Sequence, residues 1–226
     1  AGAHAWVQQH APGKPLIGFQ VASFPTKAYR DWPADSFADL GHRLFAQHPD
    51  ARIVLLGAKE SRAKATWLAQ QLCSRAVAIA GQLGLRATAA LMTQLDLYIG
   101  VDTGPTHIAG ALGIPMVALY HCRHRGAHLA PLGHERLAVI EHPAADADCT
   151  PSAPMAAISI DTVWEAARHP LPPAASTMKP EPELGTFCGW RCWSPKKRRN
   201  SSACGSWASP RAATFLRTSM NTTAGA

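Results

Sequence analysis

The stretch Val101-Asp102-Thr103-Gly104-Pro105-Thr106-His107-Ile108-Ala109-Gly110-Ala111-Leu112-Gly113-Ile114-Pro115-Met116-Val117-Ala118-Leu119-Tyr120 decides the fold. Just upstream, Leu97 to Val101 is a near-continuous apolar run, as expected of a parallel strand covered on both faces. Asp102, Thr103 and Gly104 then place an acid, a hydroxyl and a flexible backbone at that strand's carboxyl end. Pro105 suits the first helical position, where no backbone donor is needed. Thr106 and His107 fall in the first turn, where free amides and the helix dipole attract anions. Ala109, Gly110, Ala111 and Gly113 let a helix lie close to a sheet, and Pro115 stops it before a second apolar strand. This order predicts a phosphate or nucleotide site at a strand end in an open α/β sheet.

Outward from this stretch the same alternation continues. Leu16–Ala22 reads as a first strand, followed by the polar loop Ser23-Phe24-Pro25-Thr26-Lys27-Ala28-Tyr29-Arg30. Trp32-Pro33 closes that loop, Asp35 or Ser36 is placed to cap a helix, and Phe37, Leu40, Leu44 and Phe45 give the helix its apolar face. Arg52–Ala58 is a second strand, and its Gly57 turn leads to Glu60 at the start of a helix packed through Ala65, Leu68 and Leu72. Ala76–Ala80 is a short third strand, and a helix with Ala87, Ala90, Leu91 and Leu95 returns the chain to the opening stretch. Leu137–Ile140 reads as a sixth strand, and Asp161 as the cap of a last helix through Val163, Trp164 and Ala167. Strands alternating with helices predict right-handed crossovers and a parallel sheet with helices on both faces.

The chain has 226 residues and a net charge of +7. Residues 1–171 carry 14 Lys and Arg against 13 Asp and Glu, while residues 172–226 carry 8 against 2. The basic character therefore belongs to the last segment, and the folded part gives no ground for expecting nucleic acid as a partner. That segment holds Lys196-Lys197-Arg198-Arg199 and Ser/Thr/Ala-rich runs without apolar periodicity, so 172–226 is expected to be a disordered basic tail. Its abrupt onset suggests aberrant translation after a domain ending near Leu171. Residues 1–15, punctuated by Pro12-Gly13 and Pro15, are expected to be a linker or the remnant of a preceding domain, since the chain starts at Ala1. Residues 16–171 form the expected domain.

Three of the six cysteines lie in residues 1–171, with no Cys-x-x-Cys pair, which argues against a disulfide framework and fits a reducing compartment. No apolar run reaches the roughly 18 residues needed to span a bilayer. His121, Cys122, His124, His128 and His134 form a His-rich loop, but their spacing matches no closed zinc module and Arg123 and Arg125 oppose a cation. No metal or cofactor is expected.

Asp102-Thr-Gly-Pro-Thr-His107, then small residues, Gly113-Ile-Pro115 and an apolar strand, resembles the signature of glycosyltransferase family 9, the lipopolysaccharide heptosyltransferases. Arg30-Asp31-Trp32-Pro33 and the pair Gly57 and Glu60 are similar to two further family features in the same order. The resemblance covers roughly residues 16–142 and implies the Rossmann-like C-terminal, donor-binding domain of a GT-B enzyme. It further implies an inverting, metal-independent transfer of heptose from ADP-heptose to a lipopolysaccharide core or lipid A acceptor. Asp102, Thr103, Gly104 and His107 would approach sugar and pyrophosphate, and Glu60 the ribose hydroxyls. Arg30 would reach phosphate or sugar, Ser23 or Thr26 would offer a hydroxyl to the phosphates, and Leu83 would line the base pocket. The catalytic base belongs to the family's other domain, so this fragment alone is expected to be inactive. The implied location is cytoplasmic, on the inner face of the inner membrane. Another nucleotide-sugar transferase or epimerase, or a nucleotide-sugar-binding domain without turnover, stays open as an alternative.

Overall fold

The computed structural model describes residues 2–144 and 148–171. The tail expected over 172–226, with Cys188, Cys192 and the Lys196–Arg199 cluster, lies outside the described residues. Six parallel strands form the sheet: β1 (Leu16–Gln20), β2 (Arg52–Leu56), β3 (Ala76–Ala78), β4 (Leu97–Val101), β5 (Met116–Tyr120) and β6 (Leu137–Glu141). Their order is β3-β2-β1-β4-β5-β6, so the chain runs outward from β1 in one direction, returns, and runs outward from β4 in the other. This is the doubly wound, Rossmann-like arrangement, with its switch point between β1 and β4. All six strands start where the apolar runs of the sequence start.

Two apolar layers cover the sheet. On one face α2 (Ala34–Gln47), α3 (Arg62–Gln71) and α7 (Ile160–Arg168) bury Phe37, Leu40, Leu44, Leu68 and Val163 against Ile17, Phe19, Ile53 and Ile99. On the other face α1 (Gly2–His10), α4 (Leu85–Met92) and α5 (Gly104–Ala111) surround Leu16, Val54, Leu91, Tyr98 and Met116, and a single-turn α6 (Gly126–Leu129) lies between β5 and β6 in the chain. A strand apolar on both sides needs two such covers, which is why these strands read as continuous apolar runs.

Within residues 1–15, expected as a linker or the remnant of a preceding domain, Gly2–His10 is a helix seated by Val7 and Ala11, and two small anchors leave little period to detect. Two capping expectations are corrected. α2 starts at Ala34 after Pro33 with no side-chain cap, which leaves Asp35 inside its first turn. α7 is capped by Ser159, whose hydroxyl accepts from the Thr162 amide at 3.1 Å, rather than by Asp161. Asp161 instead pairs with Arg43 of α2 at the surface.

Although the cysteine pattern argues against a disulfide framework, one disulfide forms among the described residues, between Cys122 and Cys149 with Cα atoms 5.8 Å apart. The two residues are 27 positions apart, and the return of the chain past β6 brings them together, so no short spacing announces the bond. Cys73 is free and exposed. No helix among the described residues is long and apolar enough to cross a membrane.

Candidate functional site

In an open parallel sheet, the strands flanking the switch point send their following loops to opposite sides and leave a crevice at their carboxyl ends. Here those loops begin at Val21 and Asp102. The loop after β1 forms two short helical turns over Pro25–Arg30 and ends at Trp32, which is fully buried. The Trp32 indole N–H donates to the Ile158 carbonyl at 3.0 Å, and its ring stands edge-on to Phe37 at 5.0 Å. This anchor sets the preceding residues over the crevice. Arg30 Nη1 donates to Asp102 Oδ2 at 2.5 Å, with side chains only 13% and 7% exposed. His107 Nε2 stands 3.8 Å from the other oxygen of Asp102. One carboxylate thus joins a cation from the β1 side and an imidazole from α5.

The start of α5 is open. No side chain caps it, Pro105 has no N–H, and a methyl group added at Gly104 would meet nothing within 4 Å. The Thr103 hydroxyl turns inward, donating to the Val101 carbonyl at 3.3 Å, and the Thr106 hydroxyl does the same at 2.6 Å. Beneath them the buried Tyr98 hydroxyl lies 3.0 Å from that of Thr106, and desolvation pushes its pKa upward. Thr103 therefore helps hold the turn from below, while Gly104, His107 and Asp102 face the crevice.

Three of the four buried side-chain polar atoms without a hydrogen-bond partner among the described residues, all but His134 Nε2, belong to the same edge. They are Gln20 Oε1 at the end of β1, Arg30 Nε, and the Tyr120 hydroxyl at the end of β5. Buried polar groups are almost always satisfied, so three orphans around one crevice mark a surface shaped for a polar ligand. Burial, then the charge of Asp102, drives the Tyr120 hydroxyl pKa upward and keeps it a neutral donor.

Other expected residues are placed differently. Ser23 is tied into its own loop: its amide and hydroxyl both donate to Asp31 Oδ1 at 2.6 Å, and Lys64 of α3 holds the other Asp31 oxygen at 2.8 Å. Thr26 is exposed on the same loop. Glu60 is exposed in a short turn after β2, built by Gly57 and Gly81. Gly81 has φ +65° and its amide donates to the Gly57 carbonyl at 2.9 Å; a Cβ at Gly57 would collide with the Ser61 hydroxyl. With β1 between β2 and β4, the Glu60 and Asp102 turns leave the sheet on the order of 10 Å apart. Leu83 lies in a groove of about 530 Å³ between α1 and α4, lined also by Trp6, Ala87 and Leu91. That groove is apolar and holds none of the charged groups gathered at Asp102, so the chemistry points to the open crevice.

Nothing along the sequence announces the pairing of Tyr29, in the loop after β1, with His124 of the His-rich loop. The Tyr29 hydroxyl and His124 Nε2 are 2.6 Å apart, and Tyr29 stands edge-on to His121 at 5.2 Å. Burial, then the positive charge of Arg30, holds His124 below the ordinary imidazole pKa. Burial likewise lowers His121, whose Nε2 lies 3.1 Å from the Ala153 carbonyl. Groups lowered in the folded state bind fewer protons there than in the unfolded chain. Stability is therefore full above the unfolded value of 6.5 and falls as pH drops below it, towards the lowered folded value. Urea midpoints measured across that range should fall on acidification, and His121→Gln with His124→Gln should flatten the curve.

A family model for glycosyltransferase family 9 (heptosyltransferase) matches residues 3–154. The chain belongs to glycosyltransferase family 9. Lipopolysaccharide core heptosyltransferase OpsX of Haemophilus influenzae is 29% identical over 101 residues, 44% of this chain and 29% of OpsX. The solved structure of E. coli ADP-heptose lipopolysaccharide heptosyltransferase II superposes with a TM-score of 0.61 at 21% identity, over 73% of this chain and 50% of that one. A family 9 glycosyltransferase from Veillonella parvula gives 0.62 at 22% identity, over 75% and 50%. E. coli heptosyltransferase WaaC with ADP gives 0.56 at 19% identity, over 72% and 47%. This family 9 chain thus spans about half the length of the solved relatives and less than a third of OpsX. In the family 9 chain the signature from Asp102 onward is the β4–α5 turn, and the Trp-Pro feature is the anchor that holds Arg30 over it.

Proposed function

We propose that this chain is the donor-binding half of a heptosyltransferase and that the crevice between β1 and β4 holds the diphosphate and sugar of ADP-heptose. The observation that carries this reading is the Arg30–Asp102–His107 constellation at the switch point, facing the open start of α5. The amide of Gly104, the α5 dipole and the Arg30 guanidinium are the groups that would stabilise a leaving diphosphate. Asp102 would accept from sugar hydroxyls while orienting Arg30 and His107. Glu60 would accept from the ribose, and Tyr120 and Gln20 supply further unpaired polar atoms. The Ser23 and Thr103 hydroxyls would act chiefly by holding the loops, since each is already engaged internally.

The reaction assigned to the full-length enzyme is inversion at the anomeric carbon. A base removes the proton of the acceptor hydroxyl, that oxygen attacks, and the nucleoside diphosphate leaves. The base and the acceptor site are assigned to a second GT-B domain, in keeping with the half-length match. The acceptor would be lipopolysaccharide core or lipid A at the cytoplasmic face of the inner membrane. Calorimetric titration with ADP-, UDP- and GDP-sugars tests the donor: ADP-heptose should bind tightest, and equal affinity for all three would overturn the assignment. Transfer should require an added acceptor-binding domain; turnover by this chain alone would overturn the division of labour.

Gly104 offers a sharper probe of the crevice. An added Cβ there meets nothing beyond its chain neighbours, so Gly104→Ala should lower the melting temperature by only a few degrees, the cost coming from Pro105, which disfavours helical backbone at a preceding residue that carries a Cβ. The substitution should nevertheless weaken donor binding roughly tenfold by filling the approach to the α5 amides, about 1.4 kcal/mol. Unaltered affinity would place the donor elsewhere.

A further inference from the structure

Beside the crevice, and outside the groups assigned to donor binding, His121, Cys122 and Cys149 bring one nitrogen and two sulfurs to within 4.8 Å of one another. His121 and Cys122 follow β5 directly, and Cys149 arrives on the segment that returns past β6. His121 and Cys122 are buried, with the rings of Tyr29 and His142 packed against His121 and with His124 and Arg123 close by. We propose that, with the disulfide reduced, these three residues bind a soft divalent transition metal, with zinc the best match, as a structural site that pins the loop after β5.

The geometry suits that ion. With Zn–S of about 2.3 Å and Zn–N of about 2.0–2.1 Å, a tetrahedral site has S···N edges of about 3.6 Å and an S···S edge of about 3.8 Å. Cys122 Sγ already lies 3.7 Å from His121 Nδ1. The Cα atoms of the two cysteines, 5.8 Å apart, allow the freed sulfurs to open to the second edge by side-chain rotation. The histidine is also oriented as a ligand. Its Nε2 faces the Ala153 carbonyl at 3.1 Å, which selects the tautomer protonated there and leaves the Nδ1 lone pair towards the sulfurs. The Arg123 amide now donates to that lone pair at 3.2 Å and would give way to the metal. Three protein ligands leave a fourth position for water.

Disulfide and metal exclude each other. A dithiol reductant breaks the Cys122–Cys149 bond, supplying two electrons and two protons and closing to its own disulfide. Metal uptake then releases the two thiol protons as both sulfurs become thiolates. Tyr29 packs edge-on against His121 and precedes Arg30, so the two states would hold the β1 loop differently.

The test is cobalt(II) titration of the full-length chain carrying Cys73→Ser, Cys188→Ser, Cys192→Ser and Cys204→Ser, which removes every other thiol. The reduced protein should take up one cobalt per chain, with a thiolate-to-cobalt charge-transfer band and tetrahedral d–d bands, and zinc should displace it. The oxidised protein should show neither band, and the further change Cys149→Ser should lose most of the charge-transfer intensity. His121→Ala should weaken binding at least about tenfold. Absence of a charge-transfer band in the reduced protein, or an identical titration after oxidation, overturns the proposal; both comparisons use one folded protein and survive a failed variant.

Discussion

Asp102→Ala should lower the melting temperature by roughly 6–12 °C and weaken donor binding by about tenfold to a hundredfold. The stability loss follows from what is left behind: Arg30 becomes a nearly buried cation with no carboxylate, and removing one partner of a buried pair costs about 3–5 kcal/mol. The low end applies, because the guanidinium retains 13% exposure and can turn toward water. At about 2–4 °C per kcal/mol for a chain of this size, 3 kcal/mol gives the quoted shift. The binding loss follows from one charge-assisted hydrogen bond to the donor, about 1.5–3 kcal/mol. Scanning calorimetry and titration separate the two effects, and a double-mutant cycle tests the cause. Arg30→Ala added to Asp102→Ala should recover much of the melting temperature, since no unpaired charge then remains, while restoring none of the affinity. A double mutant that melts lower than the sum of the single losses would show that the pair is not what these residues contribute.

Trp32→Ala should cost about 3–5 kcal/mol, the range for deleting a large buried aromatic. Trp32 is fully buried and holds two segments that are distant in sequence, the loop after β1 and the turn before α7. Its loss opens a cavity against Phe37 and also frees the Ile158 carbonyl. Trp32→Phe isolates the second effect: the ring remains, the indole donor goes, and about 1–3 kcal/mol should disappear with it. Because this anchor fixes the approach of Arg30, donor affinity should fall even in the Phe variant at temperatures where it is fully folded. Unchanged affinity in Trp32→Phe would mean that Arg30 is positioned by Asp102 alone.

The contrast between these two residues shows what a sequence discloses. Asp102 was legible because an acid, a hydroxyl and a glycine between an apolar strand and a small-residue helix have few structural uses. The strands were legible because burial on both faces leaves continuous apolar runs. The partner contacts were not. Ser23 carried the same hydroxyl signal as any phosphate-binding serine, yet Asp31 occupies it. Cys122 and Cys149 showed no spacing because their meeting depends on a return crossing of the chain, as does that of Tyr29 with His124. Local chemistry is written along the chain, whereas pairings across the sheet depend on which strands become neighbours.

Register gives the sheet one more consequence. Gln20 lies level with both Leu56 and Gly100, and Gly100 with Ala118, so β2 and β1 end at one level while β4 runs one residue and β5 two residues beyond it. The binding edge is therefore a stepped line set by register rather than a property of any single loop. Deleting one residue within β4 would draw Asp102 back by about 3.3 Å and turn it to the opposite face. Lengthening the Ser23–Tyr29 loop would leave that line intact, because Trp32 and not loop length sets the far end. Insertions and deletions in this family should accordingly be tolerated between Phe24 and Lys27 and excluded from the five residues before Asp102.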